Sequence, residues 1–272
     1  MHELTITMTK TGQKTAIQKL KEKEITILLL LYRFRFLNRV QIQKMLEHKH
    51  HERIRTWLNN LVEQGCIKRD YSKEFAGRPA IYSLAPQGRK QLKSNPEVKT
   101  KLLDSRVWRE QERTEEFKEH CLFVADIYLS LLKSSTKAKA DLYFYAKTDL
   151  YGKYYIVRPN PDGYFAIESA KEEIRRCYLD CFDEVLPSQM RTRIKRYFEY
   201  YDSDVWFDEF PDRPFPEVIL VCPNTRIKGH LYYYIQNKID EYPDLNMYLT
   251  TKELVAKKGL ARETLERVVT LD

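Results

Sequence analysis

The stretch NRVQIQKMLEHKHHERIRTWLNNLVEQGCIKRDYSKEFAGRPAIYSL, residues 38–84, decides how this chain folds. Asn38 suits a helix N-cap, and Val40, Ile42, Met45 and Leu46 follow at helical spacing on a short helix. After the polar break at His48 to His51, Ile54, Trp57, Leu58, Leu61 and Val62 mark the apolar face of a second helix over about 51–64. Arg53, Arg55, Asn59 and Asn60 fall largely elsewhere around that wheel, leaving a side rich in groups that bond phosphates or base edges. Gly65 is placed to end the helix as its C′ residue. Residues 67–71 and 80–84 then read as two strands around Ala76-Gly77-Arg78-Pro79, with Arg78 near the tip of the hairpin.

Upstream, residues 25–32 supply another helix, apolar on most sides. The order helix, helix, helix, basic hairpin is that of a winged helix-turn-helix, whose third helix enters the major groove of duplex DNA. In that reading Arg53, Arg55, Asn59 and Asn60 contact the groove, and Lys68, Arg69, Lys73 and Arg78 on the wing grip phosphate or minor groove. A winged helix used for protein contacts is the alternative. Charge distribution favours DNA. Residues 1–100 hold 20 Lys and Arg against 9 Asp and Glu, a balance of +11, so the other 172 residues carry −3 of the net +8.

At 272 residues, 32% charged and 43% hydrophobic, the chain is long enough for two modest soluble domains. No apolar run approaches the roughly 20 residues that span a bilayer, and the first residues lack a signal-peptide core, so a cytoplasmic protein without membrane partners is expected. Cys66, Cys121, Cys177, Cys181 and Cys222 are scattered, and reduced, buried thiols are expected. Cys177 and Cys181 lack the second nearby pair a zinc site needs, and no metal is expected there.

The expected organisation is a polar arm over 1–16, the winged helix over 17–94, a charged connecting helix over 95–119 with Trp108 and Phe117 as its sparse apolar points, and an α/β domain over 120–272. A helix with a wide apolar face is expected over about 114–132, strands over 142–147, 154–158, 163–169 and 177–183, a helix over 190–201, a buried strand over 217–222, a helix over 225–241 and a last strand over 246–249. A mixed sheet with flanking helices follows.

Pro161-Asp162-Gly163, with Asp180 on the next strand, resembles the core of the restriction-endonuclease-like, or PD-(D/E)xK, nucleases. The resemblance implies that the two carboxylates would hold a divalent metal such as Mg²⁺, and that a lysine two residues after the second acid would support the nucleophile. Phe182 stands at that lysine position, and Lys195 on the following helix is the substitute considered; Asp183, Glu184 and Glu168 add acidity nearby. The favoured reading is therefore a catalytically silent scaffold without a cofactor, and the alternative a metal-dependent endonuclease using Asp162, Asp180 and Lys195.

More broadly, the chain resembles the plasmid replication-relaxation proteins of bacterial mobile elements. The residues that carry this are Leu31-Tyr-Arg-Phe-Arg-Phe-Leu-Asn-Arg39, Gly77-Arg78-Pro79, His120, Pro161-Asp162-Gly163, Tyr178-Leu-Asp180, Lys195-Arg-Tyr197 and Phe215-Pro-Glu-Val-Ile-Leu-Val-Cys-Pro223. The resemblance covers roughly residues 20–235, and implies a nucleoid- or plasmid-associated protein that binds double-stranded DNA in replication, relaxation or conjugative transfer, alongside replication or relaxosome proteins. A homodimer is expected, because one winged helix covers a short half-site. A transcriptional repressor is the other non-enzymatic reading. His48-Lys-His-His51 is a poor fit to a relaxase metal motif, since Lys49 sits where a strand-interior apolar residue is required. The 19 tyrosines, clustered at 154–155, 197–201 and 232–234, read as half-buried packing in preference to base stacking.

Overall fold

The computed structural model describes residues 20–71, 77–107, 109–169, 173–183 and 186–270. The arm over 1–16, Lys73, Ala76, Trp108 and Glu184 lie outside them. Helix α1 (Glu22–Phe34) opens the described chain and buries Ile27, Leu28 and Leu31. Strand β1 (Leu37–Asn38) leads into α2 (Arg39–Met45), where the Asn38 side chain accepts from Gln41 N at 2.9 Å and the Gln41 amide returns the bond to Asn38 N–H. Helix α3 (His51–Glu63) buries Ile54, Leu58 and Leu61, each removing about 1.5–3 kcal/mol worth of apolar surface from water. Gly65 ends it at φ +64, the left-handed conformation that a C′ glycine adopts at low cost.

Strands β2 (Ile67–Asp70) and β3 (Ile81–Leu84) pair antiparallel, and β1 adds on the far side of β3. The third strand is absent from the sequence reading: two residues are too few to show alternation. Helix α4 (Pro86–Leu92) closes the unit by laying Gly88 against the backbone of Cys66. A Cβ at residue 88 would stand 2.1 Å from the Cys66 carbonyl oxygen. Gly88→Ala is therefore expected to lower stability by about 1–3 kcal/mol, read as a fall in the midpoint of urea unfolding, because backbone must shift to admit one methyl group.

The expected connecting helix over 95–119 is broken. Helix α5 (Thr100–Val107) ends, a 3-10 turn follows at Glu110–Glu112, and α6 (Glu115–Ala138) starts afresh with Thr114 as its N-cap. The break lets Glu110 turn inward, 4% exposed, where both its oxygens take the Arg35 guanidinium at 2.7 and 2.9 Å. A continuous helix would have carried that carboxylate in solvent.

Six strands follow in one sheet. Their order is β4 (Asp141–Ala146), β5 (Gly163–Glu168), β6 (Ile174–Cys181), β7 (Glu217–Cys222), β8 (Met247–Thr251) and β9 (Glu266–Arg267). Strands β4, β5 and β6 run antiparallel, β6, β7 and β8 parallel, and β9 antiparallel to β8. The expected strand over 154–158 is a series of turns, with Ile156 and Val157 buried. Those two apolar residues pack as loop anchors, and the alternation they imitate carries no ladder.

Alternation along β6 assigns the two faces. Cys177, Leu179 and Cys181 join a core that includes α6 and α1, while Tyr178 joins a core with α7 (Pro187–Asp202) and α9 (Thr225–Ile239). Helix α6 thus lies between the sheet and the N-terminal unit, and one apolar core runs from α1 and α3 through α6 to β6 and β7. Polar ties reinforce it: Gln41 Nε2 donates to Leu122 O and to Asp126 Oδ1 at 2.9 and 2.8 Å, and Arg33 pairs with Asp149 at 2.6 Å. Two short helices, α8 (Val205–Glu209) and α10 (Lys252–Lys258), complete the set of described helices.

Candidate nucleic-acid interface and acidic centre

Helix α3 packs on α1, α2 and β2. Its Arg53 and Arg55 remain exposed, so the C-terminal half leaves this side open. Both line an open groove of about 490 Å³ together with Lys21, Asn59 and Asn60 and the acids Glu24 and Glu63, so three cations face two carboxylates there. Arg55 also reaches Glu52 at 2.5 Å; an exposed pair of this kind contributes little and is easily exchanged for a phosphate.

Asn59 and Asn60 sit deeper than the arginines. Asn59 Oδ1 accepts from the Arg69 guanidinium on β2, which lies over the Tyr82 ring. Asn60 Nδ2 donates to Glu24 Oε1 at 2.6 Å, and Glu24, 2% exposed, also caps Lys21 N–H. Asn60 thus holds a buried carboxylate of α1, and of the two asparagines it is the one turned toward the bundle. Lys68 is exposed. Arg78 bonds Glu119 of α6 at 2.9 Å, and Lys118, 6% exposed, bridges Asp70 of β2 and Glu115. Phe36 and Ile81 meet Cys121 and Leu122 beneath these pairs. The described part of the wing is thereby fastened to the start of α6, a tie that no sequence spacing announces.

The Asp162 and Asp180 carboxylates take different partners on different faces of the sheet. Asp162, at the entry to β5, accepts from Cys181 N at 3.0 Å and meets Lys147 Nζ at 3.1 Å and His120 Nε2 at 3.2 Å, on the α6 side. Gly163 follows it because a Cβ there would press to 3.0 Å from the Phe144 ring. The other His120 nitrogen meets Asp183 at 2.9 Å, and Asp183 meets Lys252 Nζ at 2.7 Å. Burial opposes charge on His120, but its bonds to Asp162 and Asp183 outweigh that and carry the imidazole up to about 9. Burial likewise opposes the Asp162 carboxylate, and Lys147, His120 and the Cys181 N–H together hold its carboxyl well below the usual range.

Asp180 faces α7. Both its oxygens take the Arg193 guanidinium, at 2.7 and 3.0 Å, and Tyr197 OH donates to it at 2.6 Å. Arg193 also reaches Asn160 O at 2.7 Å. Lys195, the expected substitute cation, is instead 62% exposed and paired with Glu199 at 3.1 Å. On a helix, position 195 lies some 200° around from 193, so the residue that reaches the acid is the arginine. Phe182, at the motif lysine position, is core, packed with Met190 and Ile194. Among the described residues, no three His, Cys, Asp or Glu side chains come together as metal ligands. Arg193 and Tyr197 were legible only in part: their i, i+4 spacing places them on one side of α7, but nothing in the chain says that Asp180 lies opposite. The five cysteines are all buried and free, and burial pushes the Cys177 and Cys222 thiols up to about 12. His48 packs edge-on against Trp57 at 5.1 Å in the turn before α3.

No curated protein matches the chain, and none of its described helices is long and apolar enough to cross a membrane. Among solved structures, two point mutants of Lactococcus lactis ZitR are similar at 22% identity and a TM-score of 0.27, over 46% of this chain and 81% or 82% of theirs. The family model described as replication-relaxation matches residues 28–210, from within α1 to the end of α8, a span that takes in the α3 groove, the wing and both acidic residues. The chain belongs to the replication-relaxation family.

Proposed function

We propose that this protein binds double-stranded DNA through a winged helix, as a non-enzymatic accessory factor in the replication or relaxation of a plasmid or other mobile element. The observation that carries the reading is the open side of α3, where Arg53 and Arg55 stand exposed on a groove that Lys21 also lines. Of the outward groups, the two arginines suit guanine edges or phosphate, and Asn59, held by Arg69, is presented with its own amide oriented. Asn60 serves the fold. The restriction-endonuclease-like resemblance supplies a scaffold here: Asp180 is neutralised by Arg193 and Asp162 by His120 and Lys147, which supports a silent centre over a Mg²⁺-dependent nuclease.

Duplex titrations at several salt concentrations test this. Arg53→Ala and Arg55→Ala are each expected to weaken binding and to reduce the slope of log affinity against log salt by about one unit where the side chain meets phosphate. Lys195→Ala, an exposed cation on the other half, should leave both unchanged. Equal affinity and slope in wild type and both arginine variants would remove α3 from the interface. Supercoiled plasmid should survive Mg²⁺ and Mn²⁺ intact; nicking abolished by Asp162→Ala would restore the nuclease. Footprints over a promoter, away from any origin, would make the protein a repressor.

A further inference from the structure

Strand β4 is an edge of the six-stranded sheet, and its residues alternate sharply in environment. Phe144 and Ala146 are buried against the α6 side. Tyr143 and Tyr145 point the other way and are 48% and 42% exposed. Register carries this face across two more strands, where it passes from the exposed edge into the core under α7. Tyr145 stands opposite Tyr164, and Tyr164 opposite Tyr178; Tyr143 stands opposite Ala166, and Ala166 opposite Arg176. Adjacent strands lie about 4.8 Å apart, so Tyr143 and Arg176 flank the small Ala166 at roughly 10 Å.

Inward from this face the rings join a buried aromatic core, in which Tyr178 is fully buried and Trp206 is 1% exposed, and they emerge again at Tyr154. Tyr145 and Tyr164 rings are 6.1 Å apart, Tyr164 meets Trp206 at 6.3 Å, Trp206 meets Phe210 at 4.5 Å, and Phe210 meets Tyr155, which abuts the exposed Tyr154. Cations follow the same path. Arg176 and Arg213 act on the Tyr164 hydroxyl, whose pKa burial pushes up to about 12 and the two arginines draw back; Lys153 lies over the Tyr155 ring at 5.7 Å. Acidic groups sit at the two ends of the track, Asp141 opposite Glu168 at one and Glu209 bonded to Tyr154 at the other.

We propose that this outer face of β4 and β5 is a binding site for single-stranded DNA, with bases stacked on Tyr143 and Tyr145 and backbone phosphates held by Arg176 and Arg213. A buried core does not need two large rings in water on alternate residues of one edge strand. An antiparallel sheet presenting aromatic rings beside arginines supplies what a flexible strand offers: π-faces of every base, and one charge per nucleotide. Replication and relaxation both expose single strands, and this site lies apart from α3. It stands whether or not α3 enters a groove. Arg33 on Phe144 O and Asp149 on Ala146 N–H already cap one end of the β4 edge, and the start of the strand is where a second copy of the chain, the competing occupant, would have to pair.

The test uses the full chain with a labelled oligothymidylate and a labelled duplex, comparing Tyr143→Ala/Tyr145→Ala with Tyr143→Phe/Tyr145→Phe and with Arg53→Ala/Arg55→Ala. Oligothymidylate affinity should fall roughly ten- to a hundredfold in the double alanine variant and stay within about twofold in the double phenylalanine variant, while duplex affinity follows only the α3 arginines. The double phenylalanine variant should melt with the wild type, and the double alanine variant, which removes two half-buried rings, should melt somewhat lower yet remain folded at the assay temperature. Unchanged oligothymidylate binding in the double alanine variant overturns the proposal. So does equal loss in the phenylalanine variant, which would assign the effect to hydroxyls and not to stacking, and so does a dimer that the alanine variant turns to monomer with oligothymidylate affinity untouched.

Discussion

Asp180→Ala is expected to melt roughly 10 °C below the wild type, a loss of about 3–5 kcal/mol. The carboxylate is 3% exposed and sits between Arg193 and Tyr197, which is fully buried. Removing it leaves a guanidinium, itself mostly buried, without its counter-charge, and a phenol without its acceptor. Burial opposes the Arg193 charge, and Asp180 more than offsets it, holding the guanidinium above its ordinary value. The sign of the effect separates the two readings of this acid. An acid kept for metal among other carboxylates is destabilising in the unloaded protein, so its removal would raise the melting temperature. Asp180→Asn keeps one acceptor for the same two donors and should fall between. Replacing Asp180 and Arg193 together by leucine and methionine should recover only part of the loss, because the uncompensated charge is removed while the buried Tyr197 hydroxyl still lacks its acceptor.

The second large effect is on the pH dependence of stability. His120 is raised from 6.5 to about 9 in the folded chain, so it binds more protons folded than unfolded between those values. Its contribution is complete below pH 6.5 and is lost as pH rises through about 9, amounting to on the order of 3 kcal/mol. Asp162 and Asp183 are lowered, and theirs is present above their ordinary 3.8 and lost as pH falls through the depressed values. The window in which the whole centre contributes runs from about pH 4 to 6.5. In urea unfolding, wild type should therefore weaken steadily from pH 6.5 to 9, while His120→Gln, which keeps a donor and an acceptor but no charge, should be less stable at pH 6 and nearly flat over that range. Parallel profiles for the two proteins would show that His120 is neutral in the folded chain.

These two centres also show what Asp162 and Asp183 do in the fold. Asp162 ties β5 to β6 through Cys181 N–H and draws α6 in through His120, while Asp183 draws in Lys252 at the start of α10. These acids are thus the junctions at which α6 and α10 are fixed on one face of the sheet, as Asp180 fixes α7 on the other. Arg35, Gln41 and Lys118 then fix the N-terminal unit to the same helix α6 or to the turn before it. Lys118, which holds Asp70 of β2, lies two residues from His120 along α6.

The sequence by itself determined the elements and their order wherever periodicity and punctuation agree. Asn38 with the Val40, Ile42, Met45 and Leu46 spacing announces α2, the Ile54, Leu58 and Leu61 spacing announces α3, Gly65 its end, and the short apolar run of β7 its place inside the sheet. These are local matters, settled by caps, backbone freedom and the need to bury one side. Tertiary structure alone decided the partners of charge. That Arg193 and not Lys195 meets Asp180, that His120 lies between two aspartates, and that Asn60 turns inward to Glu24 while Arg53 stays out, all depend on which distant element packs opposite. Two-residue β1 is too short to show alternation, and 154–158 reads as a strand because Ile156 and Val157 are buried as loop anchors without a ladder partner. A hydrogen bond or ion pair is made across contacts far apart in the chain, and a single side chain carries no record of the group it will meet.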